Sequence, residues 1–256
     1  MAQGPSSDPV PELDGEAAER ALLALPDLEL LGMLRDSSNY TFLARLRGPE
    51  DDELPSELLA VYKPAEGESP LWDFPAGTLY RREVAAYALA KCLGWPRIPP
   101  TVVRKEAPYG VGALQLFIDA DRELHYFRNG GQPEESWLEA AAFDVVANNA
   151  DRKSGHCLID HDRRLWLIDH GLTFHSEPKL RTVIWDFAGR RLPGRMTADL
   201  SRAAGELEGG ELAAQLGDLL SRPELRLLQR RLAAAARPGF ELPEPRSSWS
   251  VPWPPV

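Results

Sequence analysis

Apolar runs of strand length crowd the first 120 residues of this chain, and longer amphipathic runs of helical spacing fill the remainder. Such a split argues against a regular strand–helix alternation and for an α+β molecule with two lobes. Leu28–Arg35 and Tyr40–Leu46 are expected strands, joined by Asp36-Ser37-Ser38-Asn39, whose composition is that of a turn. Leu58–Lys63 is a third strand, stopped by Pro64, and Ala113–Ile118 a fourth. Between them Thr78 is expected to cap a helix with Leu79, Ala86, Ala90 and Leu93 on one face, ended by Gly94 and Pro96. Ser136-Trp137-Leu138-Glu139 fits a capping box and opens a helix carrying Leu138, Ala142, Val145 and Val146. Cys157–Asp160 and Leu165–Asp169 then form a hairpin at the seam between the lobes, and the chain is mostly helical from about Met196.

Four segments follow from this pattern: a flexible lead-in over 1–15, a small lobe over 16–120, a helical lobe over 121–240 and a Pro-rich tail over 241–256. The lead-in is polar, acidic and Pro-rich, without the charged-then-apolar order of a secretion signal. The tail holds five prolines in its last fourteen residues, so its backbone is expected to be extended, with Trp249 and Trp253 packed back onto the body. Use of the tail as a proline-rich docking ligand is the alternative. Trp72, Trp95, Trp137, Trp166 and Trp185 are expected in the core.

The charge balance excludes some partners. With 29 basic and 39 acidic residues the net charge is −10, which gives no general attraction to nucleic acid or to an anionic membrane. No run reaches the eighteen or so apolar residues that a spanning helix needs, so integral membrane association is not expected. Two cysteines, Cys92 and Cys157, make no disulfide framework, and a reducing cytoplasm is the expected location.

Chemistry concentrates in four places. Lys63 ends an apolar strand, where an ammonium is costly unless an anion meets it, and nucleotide phosphates are one such anion. Taken alone, it reads first as a surface lysine with a buried stem. Glu83 lies early in the next helix on the face of Leu79 and Ala86, positioned to reach Lys63; alone, it is an acid favoured by the helix N-terminus. Asn148–His156 is a polar loop directly after a helix, and Asp169 ends an apolar strand before Gly171. Phosphoryl transfer needs an acid to orient the attacking hydroxyl and a metal held by a carboxylate and a nearby donor. Asp151, His156 and Asp169 supply those residue types, and a hairpin would bring them together. The order of all four carries more weight than any single string.

In that order the motifs resemble the phosphatidylinositol 3-/4-kinase superfamily, most closely its type II phosphatidylinositol 4-kinases and their bacterial relatives, in an actinobacterial branch. Ala60-Val61-Tyr62-Lys63-Pro64 resembles the phosphate-lysine strand, and Arg82-Glu83-Val84-Ala85-Ala86-Tyr87 the lysine-pairing helix. Leu114–Ile118 is similar to the strand leading to the adenine hinge, Asn149-Ala150-Asp151-Arg152 to the catalytic loop, and Leu167–Phe174 to the metal-binding segment. The resemblance spans about residues 30–190. It implies a two-lobed kinase-like fold with an antiparallel-sheet N-lobe and a mainly helical C-lobe, and an ATP- and Mg²⁺-dependent phosphotransferase. Lys63 would contact the phosphates and Glu83 orient it. Ser38 and Asn39 would cover the phosphates, and Leu116, Phe117 and Ile118 would line or lead into the adenine site. Asp151 would orient the acceptor hydroxyl, and Asp169 would bind the metal.

Two departures shape the reading. Where the family has asparagine, whose amide oxygen suits hard Mg²⁺, five residues after Asp151, this chain has His156, a nitrogen donor better matched to softer metals, which would ligate the ion with more tolerance for Mn²⁺ or else contact a phosphate. The C-terminal region is shorter than the family's lipid-kinase lobe, and no polybasic patch is present, so a protein Ser/Thr or small-molecule acceptor is expected rather than a lipid. A nucleotide-binding pseudokinase is the first alternative. A metal-dependent hydrolase built from His156, Asp160, His161, Asp162, Asp169, His170 and His175 is the second, although hairpin residues alternate faces and cannot all converge.

Overall fold

The computed structural model describes residues 15–34, 39–49, 54–128 and 131–256. Ser38 and the Asp36–Ser38 part of the expected turn lie outside these residues, as do residues 1–14 of the lead-in.

Five strands form one antiparallel sheet: β1 (Asp27–Met33), β2 (Phe42–Arg47), β3 (Glu57–Pro64), β4 (Thr101–Arg104) and β5 (Gly112–Leu116), in the order β1-β2-β3-β5-β4. Alternation sets the buried face. On β3, Leu58, Ala60 and Tyr62 are buried, while Leu59, Val61 and Lys63 point the other way and are half-buried. Residue Lys63 pairs with Ala113 and Pro64 with Gly112. A Cβ at Gly112 would stand 2.5 Å from the Lys63 carbonyl oxygen, so only glycine lets β5 approach the lysine-bearing end of β3. One helix not expected from the sequence, α1 (Gly15–Ala24), covers the buried sheet face with Ala21 and Leu22. Strand β4 was likewise not expected; it is four residues long and follows three prolines.

Helix α2 (Leu79–Leu93) packs between the two halves, against β4 and β5 of the sheet as well as against the helical half. Its Ala85, Ala86, Ala88, Leu89, Ala90 and Leu93 belong to the core of the helical half. The partners there are α3 (Glu134–Ala147), α4 (Gly194–Gly209), α5 (Glu211–Gly217) and α6 (Arg222–Ala235), with Phe143, Leu200, Leu216 and Leu232 fully buried. Alanines on one face let the helix axes approach closely. Truncating the large residue among them, Leu89, is a cavity mutation of the kind that costs ~2–5 kcal/mol. The hairpin at the seam is present as β6 (Cys157–Ile159) and β7 (Leu165–Leu167), with Cys157 fully buried as an apolar filler.

Two expected caps do not form. The Thr78 hydroxyl donates to the Pro75 carbonyl, and the Tyr80 amide is met instead by the Glu68 carboxylate at 2.9 Å. Helix α3 begins two residues before Ser136, behind Pro133, with Glu134 and Glu135 in its first turn favoured by the helix dipole. Trp72 is 91% exposed rather than in the core, whereas Trp95 and Trp137 are buried as expected. Among the described residues no helix is long and apolar enough to cross a membrane. A sheet lobe followed by a mainly helical lobe is the α+β, two-lobed architecture expected from the sequence.

Candidate active site

Where the two lobes meet, one ammonium joins them. The Lys63 Nζ lies 2.5 Å from Glu83 Oε1 on α2 and 3.1 Å from Asp169 Oδ1, which follows β7. The other Glu83 oxygen accepts the His170 backbone N–H at 2.9 Å. Burial alone would depress the lysine, but the two carboxylates outweigh it and hold Lys63 above its ordinary value. Asp169 is held well below the usual carboxylate range: against the opposing effect of burial, Lys63 and His156 face its two oxygens. A fixed ammonium between two acids is the arrangement that a buried lysine requires, and both acids come from elements distant in sequence.

The loop after α3 is built differently. Asn148 ends α3 in the left-handed conformation (φ 53°), and its amide bridges the His175 and Glu177 carbonyls and the Lys179 N–H. Asn149 donates to Asp144 Oδ1 at 2.9 Å and accepts the Asp151 N–H at 3.0 Å, a local turn that presents the Asp151 side chain. Arg152 is fully buried. It pairs with Asp144, donates to the Ile168 carbonyl at 2.8 Å, and meets His170 Nε2 at 2.7 Å. Because a guanidinium has no acceptor, His170 must offer a lone pair there and is neutral. Burial, reinforced by Arg152, holds it well below its ordinary pKa. Asp144 also accepts from Thr182 at 3.1 Å, so one buried carboxylate organises the loop from both flanks. Sequence reading did not single out Asp144 or Arg152 for this role. The available signal was an aspartate inside an otherwise apolar helix, which burial allows only with partners.

Asp151 itself is part-buried beside Lys153, with Nζ to Oδ2 at 3.4 Å; burial raises its pKa against the pull of that lysine. His156 Nε2 stands 3.1 Å from Asp169 Oδ2, and its Nδ1 accepts the Lys153 N–H at 3.4 Å. Burial pushes His156 down to about 4 despite Asp169. The neutral ring therefore donates its Nε2 proton to Asp169.

Lys63, Glu83, Asp151 and Asp169 line one cavity of about 150 Å³. Its other walls are Asn39, Tyr40 and Thr41 at the start of β2, Leu172 beyond Asp169, and Glu68, Leu71 and Tyr80. Glu68 and Leu71 belong to the connection between β3 and α2, and Tyr80 to the first turn of α2. Gly67 permits this wall: a Cβ there would fall 2.3 Å from Tyr40 Cβ, and the Tyr40 N–H donates to the Gly67 carbonyl at 3.0 Å. The structure thus brings together five residues singled out from the sequence, namely Asn39, Lys63, Glu83, Asp151 and Asp169, with His156 against Asp169. Leu116, Phe117 and Ile118 do not line this cavity. They are half-buried at the end of β5 and beyond it, with Leu116 three register positions from Ala113, roughly 10 Å along the strand.

The hydrolase cluster does not assemble. Asp160 is taken by Arg164 and Trp166, His161 faces Asp119, His170 faces Arg152, and His175 contacts Asp73 and Glu177. Among the described residues no three His, Cys, Asp or Glu side chains converge as a metal set. Asp169 with its neighbour His156 fits a different demand, that of an ion carried largely by phosphates and water, which needs only one or two protein donors.

The tail departs from expectation too. Trp249 and Trp253 are 76% and 89% exposed. It is held by backbone groups instead: the Ser250 carbonyl accepts from Thr182 N–H at 3.0 Å and Trp185 Nε1 at 3.1 Å, and the Pro255 carbonyl from Ser154 N–H at 2.8 Å. The tail thereby backs the Asp151–His156 loop.

No family model matches the chain. Two solved structures are faintly similar in shape. They are the Helicobacter pylori proinflammatory kinase CtkA (TM-score 0.46, 10% identity, 81% of this chain and 90% of that one) and hydra Fam20 with sugar (TM-score 0.42, 15% identity, 78% and 81%). In sequence, protein Rv2133c of Mycobacterium tuberculosis is 36% identical over an alignment of 271 residues, which covers 92% of this chain and 95% of that protein. At that identity and coverage, the chain belongs to the family of Rv2133c.

Proposed function

We propose that this protein is an ATP- and divalent-metal-dependent phosphotransferase related to the phosphatidylinositol 3-/4-kinase-like enzymes, with a protein Ser/Thr or a small-molecule hydroxyl as acceptor. One observation carries the reading: Lys63 of the sheet lobe, fixed between Glu83 of α2 and Asp169 after β7, faces a cavity that also receives Asp151. A lysine that is cationic and oriented before ligand arrives suits the α- and β-phosphates of a nucleotide. Asp151, its backbone fixed by Asn149 and its pKa raised by burial, is suited to accept or orient an acceptor hydroxyl. Asn39, Tyr40 and Thr41 overhang the cavity from the sheet, as a phosphate cover would. Asp169 and His156 would hold the divalent ion, and the bound ion would neutralise phosphate charge. To serve as a ligand His156 must give up its Nε2–H tautomer, so Asp169 is the primary donor. Leu116–Ile118 are proposed to lead into the adenine site.

A second reading is favoured by that same contact. If His156 stays a hydrogen-bond donor to Asp169, the chain binds nucleotide without turning it over. Thermal denaturation with ATP and Mg²⁺ or Mn²⁺ tests the first step. Nucleotide at about 100 times its Kd should stabilise the wild type by ~2.7 kcal/mol, roughly 5–10 °C for a chain of this size. Lys63→Met should lose most of that shift, and Asp169→Ala its metal-dependent part. An equal shift in all three proteins would overturn the site. Release of γ-phosphate by the wild type and not by Asp151→Asn separates enzyme from pseudokinase.

A further inference from the structure

We infer that Arg82 is a positioning residue: with Glu224 it latches α2 to the helical lobe, so that Glu83 meets Lys63 before any nucleotide binds. This rests on the phosphotransferase reading only for its purpose, not for its geometry.

Arg82 immediately precedes Glu83 and is 2% exposed, a place a guanidinium takes only with partners; both terminal nitrogens have them, while its Nε has none among the described residues. Its Nη2 lies 2.5 Å from Glu224 Oε1 on α6, its Nη1 donates to the Thr173 carbonyl at 2.7 Å, and its Cζ stands 5.0 Å from the Phe74 ring centroid. Glu224 is fixed in turn, because its second oxygen accepts the Ser221 N–H and hydroxyl at 2.8 and 2.7 Å in the capping box of α6. Thr173 lies four residues beyond Asp169, and the His170 N–H is held by Glu83. Two successive side chains of α2 therefore grip the 169–173 segment, one through a carbonyl and one through an amide. Beneath them the Ala85–Leu93 face of the same helix sits in the core of the helical lobe. A helix that rotated or slid enough to withdraw Glu83 from Lys63 would have to break a buried ion pair, strand the Thr173 carbonyl and open that core. Each of these is costly. The sheet lobe supplies Lys63, and the partner that orients it stands on a helix held by the helical lobe as well as by the sheet.

The test uses Arg82→Met/Glu224→Gln, which removes both charges together and keeps the capping oxygen for Ser221, and Glu224→Gln alone as the milder variant. Replacing both members of a buried pair is tolerated far better than removing one. Acetylation of Lys63 by an amine-reactive ester, without nucleotide, is followed by mass spectrometry with the exposed Lys105 as internal reference. Labelling of Lys63 should rise about tenfold in the double variant, the change that ~1.4 kcal/mol of lost positioning produces. The single variant should fall between it and the wild type. Variants with wild-type secondary structure whose Lys63 is labelled at the wild-type rate would overturn the inference and leave Arg82 a stabilising residue alone. Should the double variant not fold, the single one decides by the same comparison. The readout needs no nucleotide. An ATP-insensitive wild type would sink the proposed function and leave the latch standing, whereas unaltered labelling sinks the latch alone.

Discussion

The two halves of the site reach rigidity by different routes. Lys63 and Glu83 are delivered by regular elements, a strand end and a helix turn, and are fixed by each other, by Asp169 and by the His170 N–H. Asp151, His156 and Asp169 sit on irregular backbone, with left-handed residues at Asn148 and Asp169, and are held by a buried polar scaffold of Asp144, Arg152, Asn149, Thr182 and His170. Regular elements satisfy their own backbone groups, whereas a loop at a lobe interface must find every partner elsewhere. The loop half of the site is therefore the more expensive half to assemble and the more vulnerable to a single change.

That contrast can be broken at its most sensitive point. Asp144→Ala leaves the Arg152 cation buried without a counter-ion and removes acceptors for Asn149 and Thr182. It should cost ~3–5 kcal/mol in a denaturant titration. A loss under about 1 kcal/mol would show that the scaffold is not what holds the loop.

Acid is the next lever, and it acts on the same half. His156 titrates at about 4 in the folded chain against an ordinary 6.5, and His170 is lowered in the same sense. A histidine kept neutral by folding takes its proton first in the unfolded state. Stability is therefore full above about pH 6.5 and is lost as pH falls toward about 4, at up to ~1.4 kcal/mol per pH unit for each such group. His156→Gln should flatten that slope in urea midpoints measured between pH 7 and 4. An unchanged slope would mean that His156 is not held neutral.

Removing residues 248–256 takes away the acceptors of the Ser154, Thr182 and Trp185 N–H groups, at ~1 kcal/mol for each hydrogen bond. Amide exchange at Ser154 and Thr182 should quicken while β3 and β5 keep their protection. Uniform loss of protection would place the tail in the folding of the whole chain rather than in support of the loop. The smallest effect is expected from Trp253→Ala, within about 0.5 kcal/mol in thermal denaturation, because its ring lies almost wholly in solvent.

Periodicity explains what could be read in advance. The strand carrying Lys63, the helix carrying Glu83 and the hairpin before Asp169 follow from apolar spacing and terminators, and Lys63, Glu83, Asp151 and Asp169 do face one cavity. The wall formed by Glu68 and Leu71 was not legible, because no periodicity says where a Pro-rich loop folds back. Nor were the caps at Thr78 and Ser136, where a distant carboxylate and a preceding proline displaced the local motif. Trp249, Trp253 and Trp72 mislead for a related reason. Aromatic character predicts burial on average, but here the connections carrying them run along the surface and are fixed by other groups, such as Ser250 and Asp73.

Chain order and residue type determined by themselves the strand-rich beginning, the helix-rich remainder and the chemical types gathered for the site, since these depend on local spacing and on the cost of isolated charges. The tertiary structure alone decided that α2 packs with the helical lobe, that Arg82 finds Glu224 across 142 positions of sequence, and that Asp144 serves a loop it precedes. Those pairings are set by which buried charges can be satisfied once the lobes close, and contacts between distant segments leave no period in the sequence to be read.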